Sequence, residues 1–392
     1  MNDQDIIISG MGVSTSLGNN LRDFIDNVYE AKTCYRPHHQ IKGTQSIRHV
    51  VAYVDNQELY RDIDMRKARK LDRFCLLAMQ AFRQSYEQSG LNQETSYDFG
   101  ILLGNSTGGW SFVEPQLDDI YSRNYENLSP YVATAWFPTA PQGEISIQYK
   151  ISGYSKTFSA HSLSVGYAID HAIYLMNNNY LKGTFVGGME SPLSPLVYNA
   201  CVHAEKVSLT GNYTPFSATA DGYLLGEGAG ILTIETYGNA KSRNQAAYAK
   251  IAGIGIASTL SVSILQCLRN SNLQPEDVDC IFLEGKGAPI NDILELNELN
   301  IVFASCENIP LTTTKPLYGH LLGADLAVEL IVAVQALLHQ KIPAGFFSTN
   351  QPCSPLFGQF VIDEAVEVPL NNILVYACNL QGASISILLE KI

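Results

Sequence analysis

An α/β fold built from two similar halves is predicted for this 392-residue chain, and three observations carry the prediction. Short apolar, β-rich runs ending in glycine turns alternate with helical stretches, the pattern of buried strands layered against helices. One such run occurs twice, as IIISGMGVSTS (6–16) and KIAGIGIASTL (250–260), each an apolar strand closing on G-x-G and small hydroxyl residues. A second buried strand then follows each copy, FGILLGNSTGG (99–109) in the first half and CIFLEGKGAP (280–289) in the second. Two features repeated in the same order predict a duplication.

Helices are expected over 66–90, 164–178, 292–304 and 324–340; the last has apolar residues at helical spacing and few breakers. The length suits two fused domains or one large duplicated fold. Hydrophobic residues make up 46% and charged residues 16%, which excludes a disordered chain and gives a large interior to fill. The eight cysteines are scattered, with no CxxC pair and no zinc spacing, so no metal or cofactor is expected and reduced thiols of the cytoplasm fit best. The N-terminal MNDQDIIISG has no basic region and no cleavage signature, so no secretion signal is expected. No apolar run reaches the ~20 residues needed to cross a bilayer. The formal net charge of −13 argues against nucleic acid and anionic membrane surfaces as partners.

Four segments carry candidate chemistry. TFSAHSLSVGYAIDHAIYLM (157–176) runs from a strand through small residues into an amphipathic helix. A side chain at that elbow meets the positive end of the helix, a common seat for a nucleophile. Ser162 occupies it, and a helix N-cap is the plainer reading of a serine there. TTTKPLYGHLLGADLAVE (312–329) places Lys315 and His320 on a tight, Gly-bounded turn before a helix. LEGKGAPINDILELNE (283–298) puts Lys286 between glycines at a strand end, with Glu284 two residues before it; a solvated loop lysine is the alternative. PFSATADGYLLGEGAGILTIE (215–235), with Asp221 and Glu227, reads as a turn-rich structural element.

In this order the four segments resemble the β-ketoacyl synthases of fatty acid and polyketide assembly. The elbow, closed by FVGGMES (185–191), is similar to the family's Thr-Ala-Cys-x-Ser/Thr-Gly elbow and V-x-G-G strand. PFSATADGYLLGEGAG resembles P-F-D…R-D-G-F-V-x-G-E-G-A, and KPLYGHLLGA resembles K-S-x-x-G-H-x-x-G-A. RKARKLDRF (66–74) and PQGEISIQYKISG (141–153) also resemble family stretches, so the resemblance spans the chain. It implies the thiolase fold, a duplicated five-layer α-β-α-β-α arrangement, and a dimer. The halves implied are 1–240, carrying the nucleophile elbow, and 241–392, carrying Lys286, Lys315 and His320.

The resemblance implies a catalytic Cys-His-His set, and the register departs from it. Ser162 falls at the cysteine, Lys286 at the first histidine, His320 at the second and Lys315 at the family's lysine. The loop at Lys286 is two residues shorter. The F-G-F-G-G gate becomes Cys378-Asn379-Leu380-Gln381-Gly382, with Cys378 and Leu380 at the gate of the substrate tunnel. A thiol of pKa about 8.5 ionises readily in the field of a helix N-terminus. A serine hydroxyl does not, and needs an adjacent base. His161 is expected to point away, since neighbours on an extended strand face opposite sides, which leaves His320 as candidate base. Lys286 is a cation suited to an oxyanion and not to proton abstraction. Cys201, beside His203, is expected to be packed core.

The function implied is that of a chain-length-factor-like subunit. It would pair with an active ketosynthase as a heterodimer or larger assembly and shape the acyl tunnel, as in aryl polyene systems, where some of the 21 Tyr and 15 Phe could line the slot. Acyl carrier protein, acidic as a group, would dock mainly on that partner. The alternative is a serine-dependent acyltransferase using Ser162 and His320.

Overall fold

The computed structural model of the chain describes residues 1–43, 47–92, 98–123, 125–204, 206–306, 308–355 and 357–392. The two copies of the G-x-G strand each open one half. The first half holds β1 (Ile6–Thr15), β2 (Phe99–Gly104), β3 (Ser155–Phe158), β4 (Gly183–Glu190) and β5 (Gly228–Thr236). The second holds β6 (Ala249–Ala257), β7 (Cys280–Phe282), β8 (Pro310–Thr312), β9 (Asn372–Cys378) and β10 (Ser384–Glu390).

Strand order is β1-β5-β4-β2-β3 in the first half and β6-β10-β9-β7-β8 in the second, where a two-residue strand, Gln359–Phe360, adds to the edge. The direction pattern is the same in both: the first two pairings are antiparallel and the next two parallel. Each strand of one half thus has its counterpart five strands on, which is the duplication expected from the repeats. The halves join where β1 meets β6 at Ile7↔Lys250 and Ile8↔Ala249, giving one continuous hydrogen-bonded sheet.

Eight helices matter for the site: α1 (Arg73–Gln88), α2 (Trp110–Tyr121), α3 (Ala140–Tyr149), α4 (Ser164–Asn177), α5 (Pro195–Ala204), α6 (Leu260–Ser271), α7 (Pro289–Phe303) and α8 (Asp325–His339). Helix α1 covers the outer face of the first half, and α6 covers that of the second. Between the two halves of the sheet lie α4 and α8, each touching strands of both halves. This is the five-layer thiolase arrangement. The G-x-G signature has a packing cause. A Cβ at Gly12 would overlap the Ala81 carbonyl of α1, and one at Gly255 the Ser263 carbonyl of α6, so glycine lets each outer helix lie against its strand.

Two expectations are corrected. The helix expected over 66–90 is split into a turn, Met65–Ala68, and α1. The cause is Asp72, whose extended backbone and carboxylate, accepting from Phe74 N–H, start a new helix. An apolar helical stretch of membrane-crossing length does exist, Leu322–His339, 18 residues long. It is 89% buried, and its apolar surface is taken up by the two sheets around it.

Among the carboxyls buried in this interior is Glu190 at the end of β4. It accepts from Thr107 Oγ1 at 2.6 Å and from the Ser106 N–H. Burial, opposed by those hydrogen bonds, pushes its pKa up to about 7. A folded-state value above the unfolded one favours folding at acid pH, and that advantage is lost as pH rises through about 7. The chain is therefore expected to lose up to about 3 kcal/mol from this group between pH 4.5 and 7.5. Urea unfolding across that range should show a flatter pH profile for Glu190→Gln than for the wild type.

Candidate functional site

The elbow between β3 and α4 is built by backbone geometry that the sequence does not announce. His161 has φ 54°, the left-handed region, and Ser164 at the start of α4 ties the turn by accepting from Ala160 N–H at 2.8 Å and donating to the His161 carbonyl at 2.6 Å. The reversal at His161 swings its ring back, so Nδ1 lies 2.9 Å from Ser162 Oγ. This corrects the expectation that His161 points away: that argument assumed an extended strand, and the chain here is a turn. Ser162 is fully buried. The residue at the helix N-cap is Leu163, which leaves the Ser162 hydroxyl to His161 and not to a cap.

The second half gathers charge. Glu284 ends the short extension of β7, and the glycines on both sides of Lys286 have φ 56° and 65°, which turn the loop so that Lys286 folds back on Glu284. Lys286 Nζ is 3.2 Å from Glu284 Oε1 and donates to the Cys378 carbonyl at 2.9 Å. Lys315 Nζ is 3.7 Å from Glu284 Oε2 and donates to the Leu283 carbonyl at 3.1 Å. His320 Nε2 is 3.4 Å from Glu284 Oε1, and its Nδ1 is 2.7 Å from Asp325 Oδ2. Its ring stacks on Tyr223 at 4.3 Å. The three cationic side chains and the carboxylate are each at most 3% exposed.

Electrostatics follow from this packing. Burial alone would raise the Glu284 carboxyl, but Lys286, Lys315 and His320 outweigh it and hold the group well below the usual carboxylate range. Burial would lower Lys315, and Glu284, Glu329 and Asp325 reverse that and raise it. For His320 burial is again the largest effect, overcome by Asp325 and Glu284, so protonation is favoured. A histidine biased toward its protonated form is a weaker general base near neutral pH.

The predicted residues are thus brought together in two groups. Lys286, Lys315 and His320 share Glu284. Lys286, Cys378 and Leu380 line a cavity of about 230 Å³, together with Thr259 and Leu294. Burial pushes the Cys378 thiol well up, so it stays a thiol. Ser162 is joined by no hydrogen bond to His320, Lys286 or Lys315 among the described residues. The halves nevertheless meet here: a Cβ on Gly188 of β4 would strike both Val165 of α4 and the Gly323 carbonyl just beyond His320. Cys201 is buried among Val197, Tyr198 and their neighbours, as expected. Sequence reasoning missed Asp325 as the partner of His320 and treated Glu284 as a neighbour of Lys286 alone; the spacing of Asp325, five residues on, was a signal available in the sequence.

On the surface of the first half, Arg66, Lys67 and Lys70 line a cavity of about 500 Å³ together with Tyr131, Phe137 and Ile147. Asp64 and Glu144 line it too, and Lys67 pairs with Glu144 at 3.2 Å, so the site carries mixed charge with a small basic excess.

Glu284→Gln should destabilise the fold by roughly 3–5 kcal/mol, because three buried cations lose their shared anion. Its ion-pair contribution is present above the unfolded carboxyl pKa and lost as pH falls, so the gap between wild type and variant should narrow toward acid pH in denaturant titrations.

Residues 3–240 match the β-ketoacyl synthase N-terminal domain and residues 242–346 the C-terminal domain. Curated relatives include a 3-oxoacyl-[acyl-carrier-protein] synthase 2 of Coxiella burnetii, 26% identical and aligned over the whole of both chains. Nodulation protein E of Rhizobium sp. strain N33 is 27% identical over 87% of this chain and 88% of its own. Among solved structures, the ishigamide ketosynthase/chain length factor superposes with TM-score 0.87 over all of both chains, at 19% identity. The type II polyketide assembly AntDE:AntF, an acyl carrier protein in complex with its ketosynthase, gives 0.86 over all of both chains, also at 19%.

Proposed function

The chain belongs to the β-ketoacyl synthase family, and from that premise we propose that it is a non-elongating, chain-length-factor-like subunit. In this role it pairs with an active β-ketoacyl-acyl carrier protein synthase and shapes the acyl tunnel in fatty acid or polyketide synthesis, with aryl polyenes as the candidate product class. The observation that carries the reading is the hydroxyl of Ser162 at the start of α4, where the family register calls for a thiolate. A helix N-terminus lowers a thiol into its reactive form but leaves an alcohol un-ionised. The other two family positions point the same way. Lys286 is held by Glu284 and the Cys378 carbonyl, and His320 is held between two carboxylates. The curated relatives named as 3-oxoacyl synthases pull toward an active enzyme, and the residues at these positions are why we part from them.

A carrier protein can also find this subunit directly. Arg66 and Lys70, beside the Lys67–Glu144 pair, give an acidic carrier a small basic landing site on a chain otherwise acidic. Trp136 and Phe137, 40% and 49% exposed and packed ring to ring, offer an aromatic surface for a partner subunit.

The 2.9 Å contact between His161 and Ser162 favours a second reading, an acyltransferase in which Ser162 carries an acyl ester and His161, in place of the expected His320, takes its proton. The complete burial of Ser162 weighs against it.

Reconstitution with a candidate ketosynthase and an acyl carrier protein separates the readings. Alone, the chain should release no carbon dioxide from malonyl carrier and elongate nothing; elongation by the purified chain would overturn the proposal. In the pair, Ser162→Ala should leave product length and yield unchanged. Intact-mass analysis after incubation with acyl carrier should find no acyl adduct, whereas an adduct lost in both Ser162→Ala and His161→Ala would establish the transferase instead.

A further inference from the structure

Helix α7 is apolar on both sides. Its inner side is packed, with Leu296, Leu299, Val302 and Phe303 in the core of the second half. Its outer side carries Ile290, Ile293, Leu294 and Ile301, and Val262 and Leu265 of the adjoining α6 extend the patch. These six side chains are between 44% and 75% exposed. The two helices are tied together where Glu298 of α7 accepts from the Ser261 N–H at 3.0 Å and from its Oγ at 2.7 Å. A helix apolar all round is normally covered on both sides. The six side chains expose on the order of 600 Å² of aliphatic surface, the upper end for the largest patch on a monomer and most of the ~800 Å² that each partner gives to a standard interface.

Charge narrows the choice of occupant. The chain carries −13, so its copies repel one another over most of their surface. The outer stripe of α7 holds no charged side chain: Asn297 and Asn300 stand among the aliphatics, and Glu298 is turned to Ser261. A partner selected by charge finds nothing to read here. A second copy can meet this face without like charges opposing.

The order of residues carries the argument further. Ile293, Asn297 and Ile301 follow at intervals of four along one face of the helix, with Asn297 exposed at the centre. The series reads the same from either end. A two-fold axis through Asn297 lays two copies of α7 antiparallel, with Ile293 of each copy on Ile301 of the other. Ile290 then falls opposite Ala304, a small exposed residue at the helix end. Asn297 meets its own counterpart, and an amide, being both donor and acceptor, is its own complement. One asparagine within an apolar helix seam sets register in this manner. The Asn297 amide makes no hydrogen bond among the described residues.

We propose that the outer face of α7 is a self-association surface, on which a second copy of this chain docks through an antiparallel two-fold contact centred on Asn297, with Val262 and Leu265 at its flank. The face belongs to the second half, whereas Trp136 and Phe137 belong to the first, so a copy seated here leaves their residues free for a partner subunit. Asn291 and Leu294 of α7 also line the cavity at Cys378, so the docked copy borders that cavity. The contact does not rest on the chain-length role.

Cysteine cross-linking of the full chain tests this. Chains carrying Ile293→Cys and chains carrying Ile301→Cys, mixed and oxidised, should form a disulfide-linked species of twice the chain's mass. Either variant alone, or the wild type with its eight cysteines, should form far less. Asn297→Cys should form it alone, because that residue faces itself. In sedimentation, Ile301→Glu, which buries an acid against aliphatic Ile293, should weaken self-association at least about tenfold. All three positions are exposed, so the fold of the single chain is retained. No cross-link in the mixture overturns the proposal, as does equal cross-linking by either variant alone or unchanged self-association in Ile301→Glu. Cross-linking of Ile301→Cys to a co-expressed ketosynthase in place of the second copy gives the face to that partner and overturns it too.

Discussion

One buried carboxylate, Glu284, organises the second half of the site. Three cationic side chains from two separate segments, Lys286 on one and Lys315 and His320 on the other, converge on it with almost no solvent between them. At an effective dielectric of about 20, one pair at such a distance is worth on the order of 5 kcal/mol before desolvation is charged against it. Each ion left unpaired in the interior would cost several kcal/mol, so no member can leave alone. The loop glycines at 285 and 287 exist to serve this arrangement, because only a left-handed backbone on both sides of Lys286 folds its ammonium back beside Glu284. The carbonyls of Leu283 and Cys378 then take up further ammonium protons, tying the end of β9 to the cluster.

Rigidity of this kind sets what the cluster can do. A general base must exchange its proton near neutral pH, and His320, bracketed by Asp325 and Glu284, is biased toward the protonated form. Lys315 is driven the same way by its ring of carboxylates. What remains is a fixed, charge-paired wall beside the small cavity at Cys378 and Leu380, to which Lys286, Glu284, Glu295 and Glu298 contribute, able to orient or exclude a ligand and ill suited to moving protons. The first half is the reverse. Its hydroxyl is neutral, and among the described residues the one titratable group in hydrogen-bond contact with it is its own neighbour, His161.

Much of the fold was legible because it is local and repeated. The two G-x-G strands and the helices at 164–177 and 325–339 announce themselves through apolar patterning. Helix ends were less legible: Asp72 breaks a run that periodicity alone reads as continuous, since capping competes with helix propensity at a single residue. The site was half legible. Ser162, Lys286, Lys315 and His320 could be named from motif register, but the convergence of Lys315 and His320 on Glu284 could not, because it is set by contacts across 30 or more residues, as from Glu284 to His320. His161 misled for a sharper reason. A left-handed backbone is a glycine habit, and nothing in His-Ser-Leu signals that a histidine adopts it.

The duplication has an electrostatic consequence. Because the halves share one topology, the two central helices, α4 and α8, both begin near the place where the halves meet over Gly188. Two positive helix ends therefore face one region, and Asp325, the first residue of α8, answers one of them with its carboxylate directed at His320. A site so built favours negative charge on whatever sits at its centre. A thiol can supply that charge by ionising, and the field then works in its favour. An alcohol cannot at neutral pH, so at Ser162 the same field is present and has no ion to stabilise. That difference between sulfur and oxygen in one fixed field is the physical ground on which the proposed non-elongating role rests.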